Sequence, residues 1–262
     1  MTKFCLQLFE PIKQLQPLVR SYWRLDSPAH DFTPRNDFMT MDGGSGWLFV
    51  LDGQITFRTG KCEYGGFSDA STLNSNYLIG AEQALVIGIR FKPGAQSLFC
   101  RTPTWNYGQD HVALELSNID YRALCRELKA KSIWSEQVSM IDRWLLDCLA
   151  IHSKGQKTIS PIVESVIKAQ APLSSKELGI ISGMSQRQLQ RHFIANVGMS
   201  PRSLGVVCRA NCSLNYIQIS RANKMSIIDI AQECGYHDQA HMARDFRRLF
   251  GNPPSHFIKC KD

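Results

Sequence analysis

Two clusters of long polar side chains in the C-terminal half have the types and spacing needed to meet the edges of base pairs. Gln186, Arg187, Gln190 and Arg191 recur at helical intervals and share one face, while Leu189 and Phe193 fall on the other. In the major groove arginine can pair with guanine and glutamine with adenine. A member of such a cluster can also touch phosphate alone, which supplies affinity without sequence choice; for any one of the four the two outcomes stay equally open. Gln239, Ala240, His241 and Arg244 form a second cluster ahead of the apolar Phe246. Arg247 and Arg248 follow it, and suit phosphate or an acidic protein surface better than a base.

Each cluster needs a helix whose inner face is buried and whose outer face is free, and the chain supplies that arrangement twice. Ser174, Glu177, Leu178, Gly179 and Gly183 correspond to Ser226, Asp229, Ile230, Ala231 and Gly235 at an offset of 52. After one inserted residue, Leu189, Arg191, Phe193, Gly198 and Pro201 correspond to Met242, Arg244, Phe246, Gly251 and Pro254 at an offset of 53. Ser174 with Glu177, and Ser226 with Asp229, are cap signals for a short helix, the second with a shorter acid than usual. Gly179 and Ala231 are small where a second helix is expected to cross closely. Gly183 and Gly235 can take the left-handed conformation that ends a helix and turns the chain. The product is a helix-turn-helix, repeated once, whose second helix can enter a major groove.

The run from Ile227 to Ser255 resembles the signature segment of the AraC/XylS family of bacterial transcription regulators, through Ile230, Ala231, Gly235, Tyr236, Phe246, Phe250, Gly251 and Pro254. The segment from Ser185 to Pro201 resembles the first unit of the same domain. The pattern departs from the family at His241 and Met242, where an aromatic residue often stands. The resemblance covers roughly residues 159–260. It implies a sequence-specific DNA-binding transcription regulator, activator or repressor, with double-stranded DNA and RNA polymerase as partners. It further implies seven helices, with a long one from about Pro201 to Ser220 joining the units. The two recognition helices would then enter successive major-groove segments about 34 Å apart. Arg187, Gln190 and Arg191 match base-contacting positions of the family, as do Gln239, His241 and Arg244, with Gln186 beside them. Arg202, Arg247 and Arg248 are the phosphate candidates. Asp245 would repel phosphate, and is expected to position a neighbouring arginine or to contact polymerase.

The N-terminal part has another texture. Residues 47–51 and 54–57 are apolar or β-branched and flank Asp52 and Gly53, a pairing that predicts a hairpin with a primed turn. Residues 84–91 read as a further strand ended by Lys92, Pro93 and Gly94. An antiparallel sandwich or barrel is expected over about 1–93, followed by helices over about 95–152. From Trp134, the stripe Val138, Ile141, Leu145 and Leu149 suits either a second subunit or this chain's own sheet. Residues 18–23 and 90–94 resemble parts of the cupin-like sensor half found in many such regulators, a half that often binds a small effector or mediates dimerisation. The fold class is therefore α+β: a cupin-like sensor and dimerisation domain over 1–152, a polar linker over 153–158, and an all-α DNA-binding domain over 159–262.

Charge agrees with this division. Residues 159–262 hold 13 Lys/Arg against 7 Asp/Glu, and residues 1–158 hold 17 against 16, so nearly all of the +7 excess lies in the last part. His30 and His111 are isolated and His152 is read as lying in the linker stretch, so no metal site is expected, nor any cofactor. The nine cysteines include no C-x-x-C pair, which fits a reducing cytoplasm. No secretory leader and no membrane span is read. Some relatives carry an alkyl-transfer repair domain with clustered cysteines, but Cys5, Cys62, Cys100, Cys125 and Cys148 are dispersed; with no nucleophile elbow or phosphate loop, an enzyme is not expected. Cys208 and Cys212, four apart on the joining helix, suit packing better than thiol sensing.

Overall fold

The computed structural model describes residues 5–27, 42–57, 60–63, 67–69, 78–100, 121–152, 159–223 and 225–259, so the 153–158 linker, His30 and His111 lie outside the described residues. Six antiparallel strands form one sheet: β1 (Cys5–Phe9), β2 (Val19–Ser27), β3 (Gly46–Phe57), β4 (Gly60–Glu63), β5 (Phe67–Asp69) and β6 (Leu78–Phe91). Their order is β1-β2-β6-β3-β4, with β5 also paired to β3. Alternation puts Trp47, Phe49, Ile87 and Ile89 on one face and Leu48, Val50 and Val86 on the other, and both faces are buried. Gly88 has no side chain because the indole of Trp23 lies across it; a Cβ there would stand 1.9 Å from a Trp23 ring atom.

The expected hairpin at Asp52 and Gly53 does not form. β3 runs straight through these residues, and β6 stays paired with it on both sides. The left-handed Gly53, at φ +66, serves a bulge facing Gln83 at φ +45, where the register shifts between Val50 and Gln54. An Asp-Gly pair supplies the same backbone freedom to a bulge as to a turn, and a fourteen-residue partner strand decides between them.

Two helices, α1 (Tyr121–Ala130) and α2 (Trp134–His152), cover one face of the sheet. Ile141 and Leu145 are fully buried there, with Val138 and Leu149 beside them, so the apolar stripe of α2 packs on this chain's own sheet. Trp144 meets Trp47 and Phe49 edge-on, at 5.6 and 5.8 Å. Asp142, on the same helix, is buried and accepts hydrogen bonds from the Tyr22 hydroxyl (2.7 Å) and the Ile12 amide (3.3 Å), which pins α2 to β2 and the turn before it. His152 is the last residue of α2 and is buried; it belongs to the helix and not to the linker.

Seven helices follow in the described residues: α3 (Ser160–Ala169), α4 (Ser175–Ser182), α5 (Gln186–Val197), α6 (Pro201–Asn223), α7 (Ile227–Glu233), α8 (Gln239–Phe250) and α9 (Pro254–Lys259). They build two cores. One gathers Ile162, Val163 and Val166 of α3 with Leu178, Leu189, Phe193 and Leu204; the other gathers Ile230, Ala231, Met242, Phe246, Leu249 and Phe250 with Val207, Ala210, Leu214 and Ile217. Helix α6 contributes to both, and ends three residues later than expected. The close crossing expected at Gly179 is absent, since a Cβ there would meet only Met184 O at 3.9 Å. It occurs instead at Gly205 of α6, where a Cβ would lie 2.5 Å from Pro172.

The sheet end meets the first helical core. Gly94, at φ +78, faces Ile159, Val163 and Val197 at 3.1–3.5 Å from its would-be Cβ, and Gly43 faces Leu204. The segment bearing Gly43 is held by Asp42, whose carboxylate pairs with Arg20 (3.0 Å) and with Arg90, and accepts from the Gly44 amide (2.8 Å).

Helix starts are secured by reciprocal caps. Ser174 and Glu177 exchange hydrogen bonds with each other's backbone amides, as do Ser226 and Asp229. Those contacts hold both carboxyls below the usual carboxylate range. Ser174→Ala and Ser226→Ala should each cost about 1 kcal/mol in urea unfolding. Because the boxes lie far apart with no shared partner, the double variant should show the sum to within about 0.5 kcal/mol; a clear departure would show that the two caps are coupled through the packing between them.

Candidate nucleic-acid interface

Helix α5 is capped by Ser185, which accepts from the Gln188 amide while the Gln188 side chain accepts from the Ser185 amide. This third reciprocal cap fixes the start of the helix, and so the rotation of its faces. Leu189, Phe193 and Val197 are buried, whereas Gln186, Arg187, Gln190 and Arg191 are all exposed. No hydrogen bond or ion pair to any described residue holds these four, so they form one continuous polar face open to a partner. Gln188 is exposed as well, but the cap engages its side chain.

Helix α8 has the corresponding layout with a different cap. Asp238 accepts from the His241 amide at 2.6 Å, and this bond together with His237 holds the Asp238 carboxyl below its usual range. Met242, Phe246, Leu249 and Phe250 point into the second core, and Gln239 and Arg244 are exposed. His241 is half-buried; its ring stands edge-on to Tyr236 at 5.2 Å. Arg202 and Arg247 are exposed, and Arg248 is exposed while reaching back to Asp245 Oδ1 at 3.2 Å.

Asp245 positions arginine, one of the two roles expected of it. It is buried and receives Arg209 Nη2 at 3.0 Å. Arg209 rises from α6, lays its guanidinium 4.1 Å over the Tyr236 ring, donates to Gly235 O (3.4 Å), and brings Nη2 to 3.2 Å from His241 Nε2. Burial pushes the Tyr236 phenol up to about 12. One buried arginine thus joins the bridging helix, the turn residues Gly235 and Tyr236, and the recognition helix α8. Arg209 was not among the residues singled out from the sequence. A signal for its partner was present: Asp245 falls on the buried stripe of Met242, Phe246 and Leu249, where a carboxylate demands a cation.

Other chemistry is sparse. The Cys208 and Cys212 thiols are each pushed up to about 11, chiefly by burial, so neither is set up as a nucleophile. Among the described residues no group of three His, Cys, Asp or Glu side chains is placed to hold a metal ion, and no helix is long and apolar enough to cross a membrane.

With this geometry in hand, comparison with known proteins is specific for the second half. Residues 180–259 match the family described as a helix-turn-helix domain, and residues 7–113 match a domain of unknown function (DUF6597). Over 85 residues the chain is 31% identical to the HTH-type transcriptional regulator GbdR of Pseudomonas aeruginosa. The C-terminal part of this chain is an AraC-type helix-turn-helix domain. The match to GbdR takes in 32% of this chain and spans 22% of the length of that relative. Among solved structures, a probable AraC family transcriptional regulator from Rhodopseudomonas palustris covers 38% of this chain and 94% of its own, at 24% identity and a TM-score of 0.36. ToxT from Vibrio cholerae, solved with (E)-4-(8-methylnaphthalen-1-yl)but-3-enoic acid bound, covers 98% of both chains at 10% identity and a TM-score of 0.44.

Within the AraC-type domain, the Arg209–Asp245 pair should behave as a buried ion pair. Asp245→Ala should cost about 3–5 kcal/mol, because it strands the Arg209 charge. The double variant Arg209→Met with Asp245→Leu should recover most of that loss in denaturant unfolding. Equal losses in the single and double variants would show that packing, and not charge pairing, sets the joint.

Proposed function

We propose that the chain is a sequence-specific DNA-binding transcription regulator and not an enzyme, with α5 and α8 entering successive major-groove segments of double-stranded DNA. The observation that carries this reading is the pair of capped recognition helices. Each buries its apolar face and presents the expected Gln and Arg side chains on the other. Arg187, Gln190 and Arg191 are assigned to base edges of one segment with Gln186 beside them, and Gln239, His241 and Arg244 to the next. Arg202, Arg247 and Arg248 are assigned to phosphate, which accounts for where the positive charge of the chain is concentrated.

The sheet and the helices α1 and α2, within residues 1–152, are assigned a sensing or dimerising role, with 153–158 as linker and 159–262 as the reader. Support for sensing comes from the seam, where Gly94 and Gly43 touch the core beneath α5. A ligand that shifted the sheet end would therefore press on the first reading unit. Cytoplasmic location, RNA polymerase as a partner, and a small effector or a second copy at the N-terminal domain complete the proposal.

The test is a set of binding titrations on a cognate duplex found by selection, repeated across salt concentrations. Arg191→Ala and Arg244→Ala should each weaken binding by about 1–3 kcal/mol and relax the preference at one base pair. Arg202→Ala should weaken all sequences alike and lower the salt slope by about one. If all three variants reduce binding uniformly, these arginines serve phosphate only; if the native chain prefers no sequence, the proposal fails.

A further inference from the structure

The cluster beneath α8 specifies which kind of atom His241 can recognise. This inference deepens the function proposed above and rests on it for the identity of DNA as the partner, though not for its chemistry. The two hydrogens of Arg209 Nη2 have two neighbours, Asp245 Oδ2 at 3.0 Å and His241 Nε2 at 3.2 Å. A guanidinium has no lone pair to offer. The ring nitrogen facing it must therefore be the one with the lone pair, and the imidazole proton then resides on Nδ1. Asp245 Oδ2 stands 3.8 Å from Nε2, beyond hydrogen-bond reach, and already receives the other Nη2 hydrogen. Tyr236 edge-on and Asp238 on the backbone amide hold ring and helix start in place. Among the described residues nothing pairs with Nδ1.

We propose that Arg209 is a positioning residue that fixes His241 as a hydrogen-bond donor through Nδ1, so that the base His241 contacts must itself present an acceptor. Guanine N7 or O6, adenine N7 and thymine O4 qualify; cytosine, which presents only its amino group in the major groove, does not. Without Arg209, a histidine at this place could flip its tautomer and accept from cytosine or adenine equally well. The buried ion pair therefore restricts what the recognition helix reads as well as where the helix lies. A phosphate oxygen is also an acceptor, so the test must separate base from backbone.

The first measurement needs no DNA. The full chain is labelled with 15N at histidine, and long-range proton–nitrogen correlation spectra report which ring nitrogen of His241 carries the proton; His241→Asn identifies the signal. The expected result is the Nδ1–H pattern in the native chain, shifting toward Nε2–H in Arg209→Met. A dominant Nε2–H or doubly protonated pattern in the native chain overturns the proposal, and that spectrum stands even if Arg209→Met fails to fold. The second measurement is selection from random duplexes. The native chain and His241→Asn, whose amide nitrogen sits near the place of Nδ1, should share a discrimination against cytosine, the one base without a major-groove acceptor, at one position. His241→Gln, whose amide instead meets Arg209, should lose about tenfold of that discrimination. Uniform weakening across all sequences would assign the donor to phosphate and overturn the base reading, and a preference for the cytosine amino group would overturn the donor itself. A native chain that selects no sequence overturns the proposed function, and the base reading with it, while the tautomer result stands on its own spectrum.

Discussion

Helix α6 is shared between two cores, and the arrangement of both reading units follows from that sharing. Leu204, near its start, closes the core under α5, while Val207, Ala210, Leu214 and Ile217 close the core under α8. A helix gripped on successive turns by different cores can neither bend nor rotate relative to them without opening apolar surface to water. Each large side chain so exposed costs about 1.5–3 kcal/mol. Its 23 residues span about 35 Å, comparable to one turn of B-form DNA. Gly205 lets α6 approach the segment before α4 at Pro172, and Arg209 ties it to α8 through Asp245. The joint is thus packed at one end and charge-paired at the other.

The two recognition helices are held to different degrees. Among the described residues no hydrogen bond or ion pair holds the reading face of α5, and its long side chains can choose rotamers to suit a duplex. On α8, His241 is already engaged by Arg209, Tyr236 and Asp238. Ordering long side chains on binding costs about 0.5–1.5 kcal/mol each, so α8 meets DNA with part of that cost met in advance. The first unit has a different constraint, because its core carries the seam with the sheet through Gly94 and Gly43. Under the sensing role proposed for the N-terminal half, a signal arising there would reach the more adaptable of the two readers.

Much of this was legible in the residues, for local reasons. Caps and helical periodicity act over three or four positions, so Ser174 with Glu177, Ser226 with Asp229, and the exposed faces of α5 and α8 could be read directly. Asp229 closes its box in spite of being shorter than glutamate. What escaped depends on distant partners. Asp-Gly at 52–53 looked like a hairpin because its backbone freedom suits a turn as well as a bulge, and only the length of β6 decides. Small residues were expected at a close crossing, but Gly205 and not Gly179 sits there, since the crossing partner is the segment around Pro172. Arg209 lies 36 residues from Asp245, so their pairing has no local signature; the misplaced carboxylate on a buried stripe was its trace.

If α6 holds the two readers at one fixed separation, the DNA site tolerates only one spacing between its two halves. In gel-shift titrations, inserting about five base pairs between the two half-sites turns one to the opposite face of the duplex, and binding should fall to that of a single unit. Inserting about ten restores the face but adds about 34 Å, which a packed helix cannot span, so affinity should stay low. Full recovery at ten base pairs would mean that the units move independently and that α6 does not fix their separation.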